Sequence, residues 1–264
     1  MRAFVLLLVI SACLVTVPSS GCRSASYAGP SSDLLESATA AYLAGDYDSA
    51  VREYTDFLGS QPRSAEASQA YLGRGNAYYG LGRWRLAQAD FENARSITRD
   101  RAVRARATLG LAHALFAQES YEEAQGVYME VLRVHRGHVP QDEASYRLGI
   151  SLARRAQWQD ASDYLREVVS RWPQGEFARL ARAKLPCVAQ GRFTVQVGAF
   201  TDRRLAERRL EELRAGGFEA EMAEIDMDGT TGYAARSGRL STWAEARSHA
   251  ARLESAGFST YLLP

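Results

Sequence analysis

Leu72-Gly73-Arg74-Gly75-Asn76-Ala77-Tyr78-Tyr79-Gly80-Leu81-Gly82-Arg83-Trp84 mixes small residues and aromatics in a helical rhythm, then breaks at a glycine turn before an aromatic. The same arrangement returns along the chain. Ala50, Ala87, Ala124 and Ala161 are 37 residues apart, each preceded three positions earlier by an aromatic (Tyr47, Trp84, Tyr121, Trp158). Four positions after each alanine stands Tyr54, Phe91, Tyr128 or Leu165, and twelve before it Ala38, Gly75, Ala112 or Gly149. Small residues at two fixed positions let paired helices approach closely, and the larger side chains fill the space left. In the first unit the pattern predicts helices over Leu34–Ala44 and Tyr47–Gly59, with Gly45-Asp46 as the turn. A single hairpin cannot bury its own apolar face, so successive hairpins must stack.

These residues resemble the tetratricopeptide repeat (TPR), whose period of 34 is about three residues shorter than the step here. The extra residues are expected in the connections between hairpins, for example Gly137–Gln141. Four units with a capping helix at Phe177–Leu185 fill residues 33–186, an all-α array. The resemblance implies a concave surface that binds a protein partner, which the sequence does not identify. Arg99, Arg101, Arg104 and Arg106, with Asp100 among them, read as a solvated helix face. His135 and His138 read as a solvated loop, and no metal site is expected there.

Past Pro186 the rhythm changes. Phe193–Phe200 alternates as a strand, Thr201-Asp202 caps a helix to about Ala215 with Leu205, Ala206, Leu210 and Leu213 on one face, and Phe218–Ile225 alternates again. The order recurs as strand Tyr233–Ser237, cap Ser241-Thr242, helix to Ala256 and strand Phe258–Leu263. Gly198/Gly238, Ala206/Ala246, Leu213/Leu253, Gly217/Gly257 and Phe218/Phe258 are all 40 apart. The expected architecture is α+β, βαββαβ: one four-stranded antiparallel sheet with both helices on one face.

Val195-Gln196-Val197-Gly198-Ala199-Phe200, Ala206-Glu207, Leu213 and Gly217-Phe218, with the echo Arg236-Ser237-Gly238, Ala246 and Gly257-Phe258, resemble a SPOR (sporulation-related repeat) domain over 191–264. The resemblance implies binding to peptidoglycan, in particular glycan strands stripped of stem peptides at the division septum, with no catalytic activity. Strand parity turns Val195 and Val197 toward the helices, leaving Thr194, Gln196 and Gly198 on the other face with Ala234, Arg236 and Gly238. Glu219, Glu221, Ser259, Tyr261 and Leu263 share that face. Gln196, Arg236, Tyr261 and Thr194 are the candidate glycan-binding residues. An amide, a guanidinium and a phenol ring suit a polar, uncharged sugar chain.

At the N-terminus, Met1-Arg2 precedes a largely apolar stretch of fifteen residues, Ala3–Val17. That is shorter than the roughly twenty a membrane span needs, and it reads as a signal peptide over 1–21. Pro18-Ser19-Ser20-Gly21-Cys22 resembles the lipobox of bacterial lipoproteins, which implies an acylated Cys22, a lipid as the protein's only membrane attachment, and a tether at 22–32. Cys13 fits the same motif by letter but leaves only eight apolar residues before it, and cleavage without lipid is the third reading. Arg23 after the cysteine resembles lipoproteins sent to the outer membrane, facing the periplasm. Cys187 reads as a small residue in an interdomain linker.

Composition narrows the function. The 264 residues carry 32 Lys+Arg against 31 Asp+Glu, without the concentrated positive field that nucleic acid requires. Residues 192–264 hold ten arginines against eleven acids, and the central strands present no base-stacking aromatics, so RNA binding is excluded. No paired carboxylates, nucleophile–base set or metal cluster suggests catalysis, and no cofactor is called for. Only one of the 32 cations is a lysine, Lys184. Two readings remain: an exported adaptor joining a protein partner to the wall, or an envelope scaffold whose C-terminal sheet is structural or a protein interface.

Overall fold

The computed structural model describes residues 30–227 and 229–264, with side chains from Asp33 onward. The signal at 1–21, Cys13, Cys22 and most of the tether lie outside the described residues. Among the described residues nine helices come first: α1 (Pro30–Leu43), α2 (Tyr47–Ser60), α3 (Ala67–Gly80), α4 (Trp84–Ile97), α5 (Arg101–Ala117), α6 (Tyr121–Val134), α7 (Gln141–Arg154), α8 (Trp158–Arg171) and α9 (Glu176–Ala189). Each packs on the next. Ala38, Ala87, Ala112, Ala124 and Ala161 have no exposed surface, and a methyl on Gly75 would come within 2.8 Å of the Phe91 ring. Tyr54, Phe91, Tyr128 and Leu165 fill the interior, none more than 3% exposed.

The aromatics three positions before each alanine behave differently. Trp84 is 41% exposed, and Tyr47, Tyr121 and Trp158 are half-buried at the hairpin turns. Tyr47 and Tyr121 pack against Tyr42 and Phe116. The three surplus residues per unit sit where expected in two cases, the connections 61–66 and 135–140. The connection 98–100 is short instead, and α5 runs to seventeen residues against fourteen for its neighbours. Asp100 makes that extension possible by accepting hydrogen bonds from Ala102 and Val103 N–H, so the arginine-rich stretch begins a helix.

Arg74 carries an interaction that the repeat pattern does not announce. It forms two hydrogen bonds of 2.7 and 2.8 Å with Asp90, a carboxylate only 3% exposed. Burial pushes the Asp90 carboxyl up more than the guanidinium pulls it down, so the pair holds α3 to α4 by matched hydrogen bonds rather than by surplus Coulomb energy.

Two expectations about the end of the array are corrected. α9 does not stop before Pro186 but continues through it to Ala189, at the cost of one backbone hydrogen bond. Cys187 is therefore a helical residue, 2% exposed, and not part of a linker. His135 is likewise buried, 3.9 Å from Glu130, where a solvated loop was expected.

The second unit is β1 (Phe193–Phe200), α10 (Arg203–Ala215), β2 (Glu221–Met227), β3 (Thr230–Leu240), α11 (Trp243–Ser255) and β4 (Tyr261–Leu263). The sheet is antiparallel, in the order β2-β3-β1-β4. Asp202 caps α10, and Thr242 with Glu245 forms a capping box on α11. Val195, Val197, Ala235, Leu210, Leu213, Ala250 and Leu253 make the core. Leu205 stays 39% exposed and does not join it. Phe218 and Phe258 lie before the outer strands, packed edge to face at the ends of the two helices.

The hairpin turns share one conformation at the repeat step. Gly45, Gly82, Glu119 and Ala156 all have φ between 60° and 79°. The next N–H returns each time to a carbonyl five residues back, as in Arg83 N–H to Tyr78 O at 2.9 Å. Glycine adopts this region freely, whereas alanine pays roughly 1–2 kcal/mol there. Ala156→Gly is expected to raise the melting temperature by about 2–4 °C and Gly82→Ala to lower it comparably, measured by calorimetry. Equal melting temperatures would mean that the turns are not under this constraint.

Candidate functional site

The sheet register brings three of the sequence-derived candidates into one line. Gln196 on β1 is paired with Arg236 on β3 and with Tyr261 on β4, and Arg236 is paired in turn with Glu221 on β2. Paired residues point to the same side of a sheet, so Glu221, Arg236, Gln196 and Tyr261 form a polar row across all four strands, opposite the helices. At strand spacings of about 4.8 Å, Arg236 to Tyr261 covers roughly 10 Å.

The row differs along its length. Glu221 takes Arg192 at 2.8 Å and Arg239 at 3.1 Å. Arg236 is only 6% exposed, and its Nε is buried without a hydrogen-bond partner. Gln196 is half-buried. Tyr261 is 56% exposed, and its hydroxyl accepts a 3.0 Å hydrogen bond from Lys184 Nζ on α9.

Thr194 is placed otherwise. It is 1% exposed, and its hydroxyl donates to the Ser237 carbonyl at 3.2 Å, tying β1 to β3 beside the row. The face is thus narrower than strand parity suggested. Gly198 and Gly238 are also displaced from it, and for one reason: each sits at a β-bulge. The register slips between Gln196 and Gly198 on β1, and on β3 between Ser237 and Leu240. A bulge inserts an extra residue and resets the alternation. Gly198 then pairs with Ala235 of the core, where a Cβ would meet the Phe200 ring at 2.6 Å. Gly238 has φ of 84°, and a Cβ there would meet His249 of α11 at 3.0 Å.

The sheet is seated on the array by one of the repeat aromatics, Trp158, and by groups that the repeat pattern does not single out. Phe193, fully buried, lies between Trp158 of α8 and Trp243 of α11, with ring centroids at 4.7 and 5.7 Å. The Arg154 guanidinium stacks on Trp243 at 3.1 Å, and Arg247 pairs with Glu119. Only residues 190–192 separate α9 from β1.

A family model described as tetratricopeptide repeat matches residues 35–87, 72–133 and 109–176, together more than half the chain. One described as SPOR domain matches residues 189–264. This chain is a tetratricopeptide repeat protein with a C-terminal SPOR domain. The TPR array implies protein–protein interaction and the SPOR domain implies peptidoglycan binding in the cell envelope; both are binding modules. No curated protein matches it. The crystal structure of MamA protein is 19% identical, covers 61% of this chain and 81% of its own, and has a TM-score of 0.52. A tetratricopeptide repeat protein from Parabacteroides merdae is 16% identical, covering 70% of this chain and 67% of its own, also at 0.52. At these identities the likeness concerns the helical-repeat fold alone.

Within the TPR array, His113 lies between Tyr79 and Tyr128, its ring centroid 6.3 and 5.9 Å from theirs. Glu143 is 3.5 Å from its Nε2, but Arg147 already occupies that carboxylate at 2.8 Å. Burial, reinforced by Arg147, holds the imidazole down at about 3, so the ring is neutral and the close carboxylate makes no ion pair. The unfolded chain gains this proton near pH 6.5, while the folded chain refuses it until about 3. Stability is therefore whole above 6.5 and lost as the pH falls, by about 1.4 kcal/mol per unit for one proton. Urea midpoints at pH 7 and pH 5 should fall less in His113→Gln than in the parent; an identical fall would contradict a neutral His113.

Proposed function

We propose that this protein is an exported envelope adaptor that holds denuded glycan strands with its SPOR domain and a protein partner with its repeats. The supporting observation is the row of Arg236, Gln196 and Tyr261, in register on three adjacent strands. Its groups match the chemistry of a sugar chain. The Gln196 amide both donates and accepts, suiting hydroxyls and N-acetyl groups, and the Arg236 guanidinium donates to carbonyls. The Tyr261 ring offers an apolar plate to the flat face of a sugar. Thr194 contributes from within, by fixing the β1–β3 register next to Gln196. Acylation at Cys22 anchors the protein in the outer membrane, facing the periplasm, and septal glycan directs it to sites of division.

Binding of the full chain to purified sacculi, before and after amidase treatment, tests the reading. Amidase treatment is expected to raise binding. Gln196→Ala plus Arg236→Ala should weaken it by about one to two orders of magnitude, as loss of a neutral and a charged hydrogen bond implies. Circular dichroism checks that the variant is folded. If the folded variant binds sacculi as tightly as the parent, the sheet is a structural or protein-contact module and the repeats carry the function.

A further inference from the structure

The seam between array and sheet holds a pocket of about 190 Å³, lined by Tyr146, Arg147 and Arg154 of α7, Lys184 of α9 and Tyr261 of β4, among others. Its lining side chains include three cations and no acid. Arg147 is already neutralised by Glu143 at 2.8 Å. The other two are in no ion pair, and the acid that acts on Arg154 through space, Glu119, lies outside the pocket lining. Arg154 lies flat on Trp243, and its Nε and Nη1 are buried without hydrogen-bond partners. Burial brings its guanidinium down to about 10, still charged at neutral pH. Lys184 has the Tyr261 hydroxyl as its hydrogen-bond partner, at 3.0 Å, with the same ring 4.6 Å from its ammonium. Buried cationic donors without acceptors, such as those of Arg154, are costly, and an anion placed beside them relieves that cost.

The pocket adjoins the glycan row, because Tyr261 belongs to both. This changes what the row is asked to bind. Removing a stem peptide hydrolyses the amide between the lactyl carbonyl of muramic acid and the first amino group. Water supplies the hydroxyl that stays on the lactyl carbon and the proton that leaves on the amine. Each stripped muramic residue then carries a free carboxylate, so the strand is an anionic chain rather than an uncharged one. An intact strand has a neutral amide at the same position.

We propose that the seam pocket is part of the glycan site and takes the freed lactyl carboxylate, with Arg154 and Lys184 as its partners. The inference rests on the glycan reading above and extends it from the sheet onto the TPR array. The pocket is small beside the roughly 300–1,000 Å³ of sites for drug-sized ligands, and fits a short acidic arm rather than a sugar ring. Charge-assisted hydrogen bonds are about twice as strong as neutral ones, which makes the carboxylate the feature that separates stripped from unstripped strands.

Two glycan preparations test it with the full chain: amidase-stripped strands, and the same strands with their carboxyls capped as methylamides. The parent is expected to bind the capped strand roughly tenfold more weakly, the loss of one charge-assisted contact. Arg154→Gln plus Lys184→Gln should bind stripped strands about as weakly as the parent binds capped ones, and should be indifferent to capping. Equal binding of both strands by the parent overturns this inference alone and needs no variant. Binding of neither strand overturns the glycan reading with it. Capture of an acidic peptide that depends on Arg154 and Lys184, with both strands bound alike, would assign the pocket to the protein partner instead.

Discussion

The contact on which the molecule's organisation depends is Phe193 between Trp158 and Trp243. One ring belongs to the last repeat hairpin, one to the first strand of the sheet and one to its second helix, so three elements from two domains share a single apolar seat. A phenylalanine fully removed from water contributes about 1.5–3 kcal/mol of transfer free energy, before the aromatic geometry is counted. That seat brings α7 and α9 to the β4 edge. The Arg154–Trp243 stack and the Lys184–Tyr261 contact exist because the sheet is held there.

The repeat step imposed a second constraint. Each unit must return its chain through a left-handed residue at the hairpin turn, and two of the four do so without glycine. The Glu119 turn also presents a carboxylate to Arg247 of the sheet domain, so a position used only for backbone reversal in the earlier units serves docking in the third. Similarly, the aromatic before each hairpin's alanine closes the turn within the array at Tyr47, and reaches across to the sheet domain at Trp158. The repeats are equivalent in backbone and unequal in what their turns touch.

Most of the fold was legible because both domains are internally duplicated. A 37-residue and a 40-residue step give periodicities that a single copy would leave ambiguous, and the caps Asp202 and Thr242 mark helix starts by their own chemistry. Strand parity found Gln196, Arg236 and Tyr261 on one face. It failed at Gly198 and Gly238, since a bulge shifts the alternation without any change in hydrophobic pattern, and the glycines there read equally well as exposed. It also took Thr194 as available when that hydroxyl is spent on a backbone carbonyl. Arg154, Lys184 and Trp243 could not be grouped in advance, because their neighbourhood depends on how two domains meet. One faint signal existed: Lys184 is the chain's single lysine, and it lies against Tyr261.

The helix that runs through Pro186 has a mechanical meaning. With three residues between α9 and β1, the array and the sheet have no slack between them. A load applied at the N-terminal end of the array and opposed at Gln196 would pass through every hairpin in series, like tension along a coiled spring. Each helix packs only on its near neighbours in the stack, so that load has no path that bypasses a hairpin.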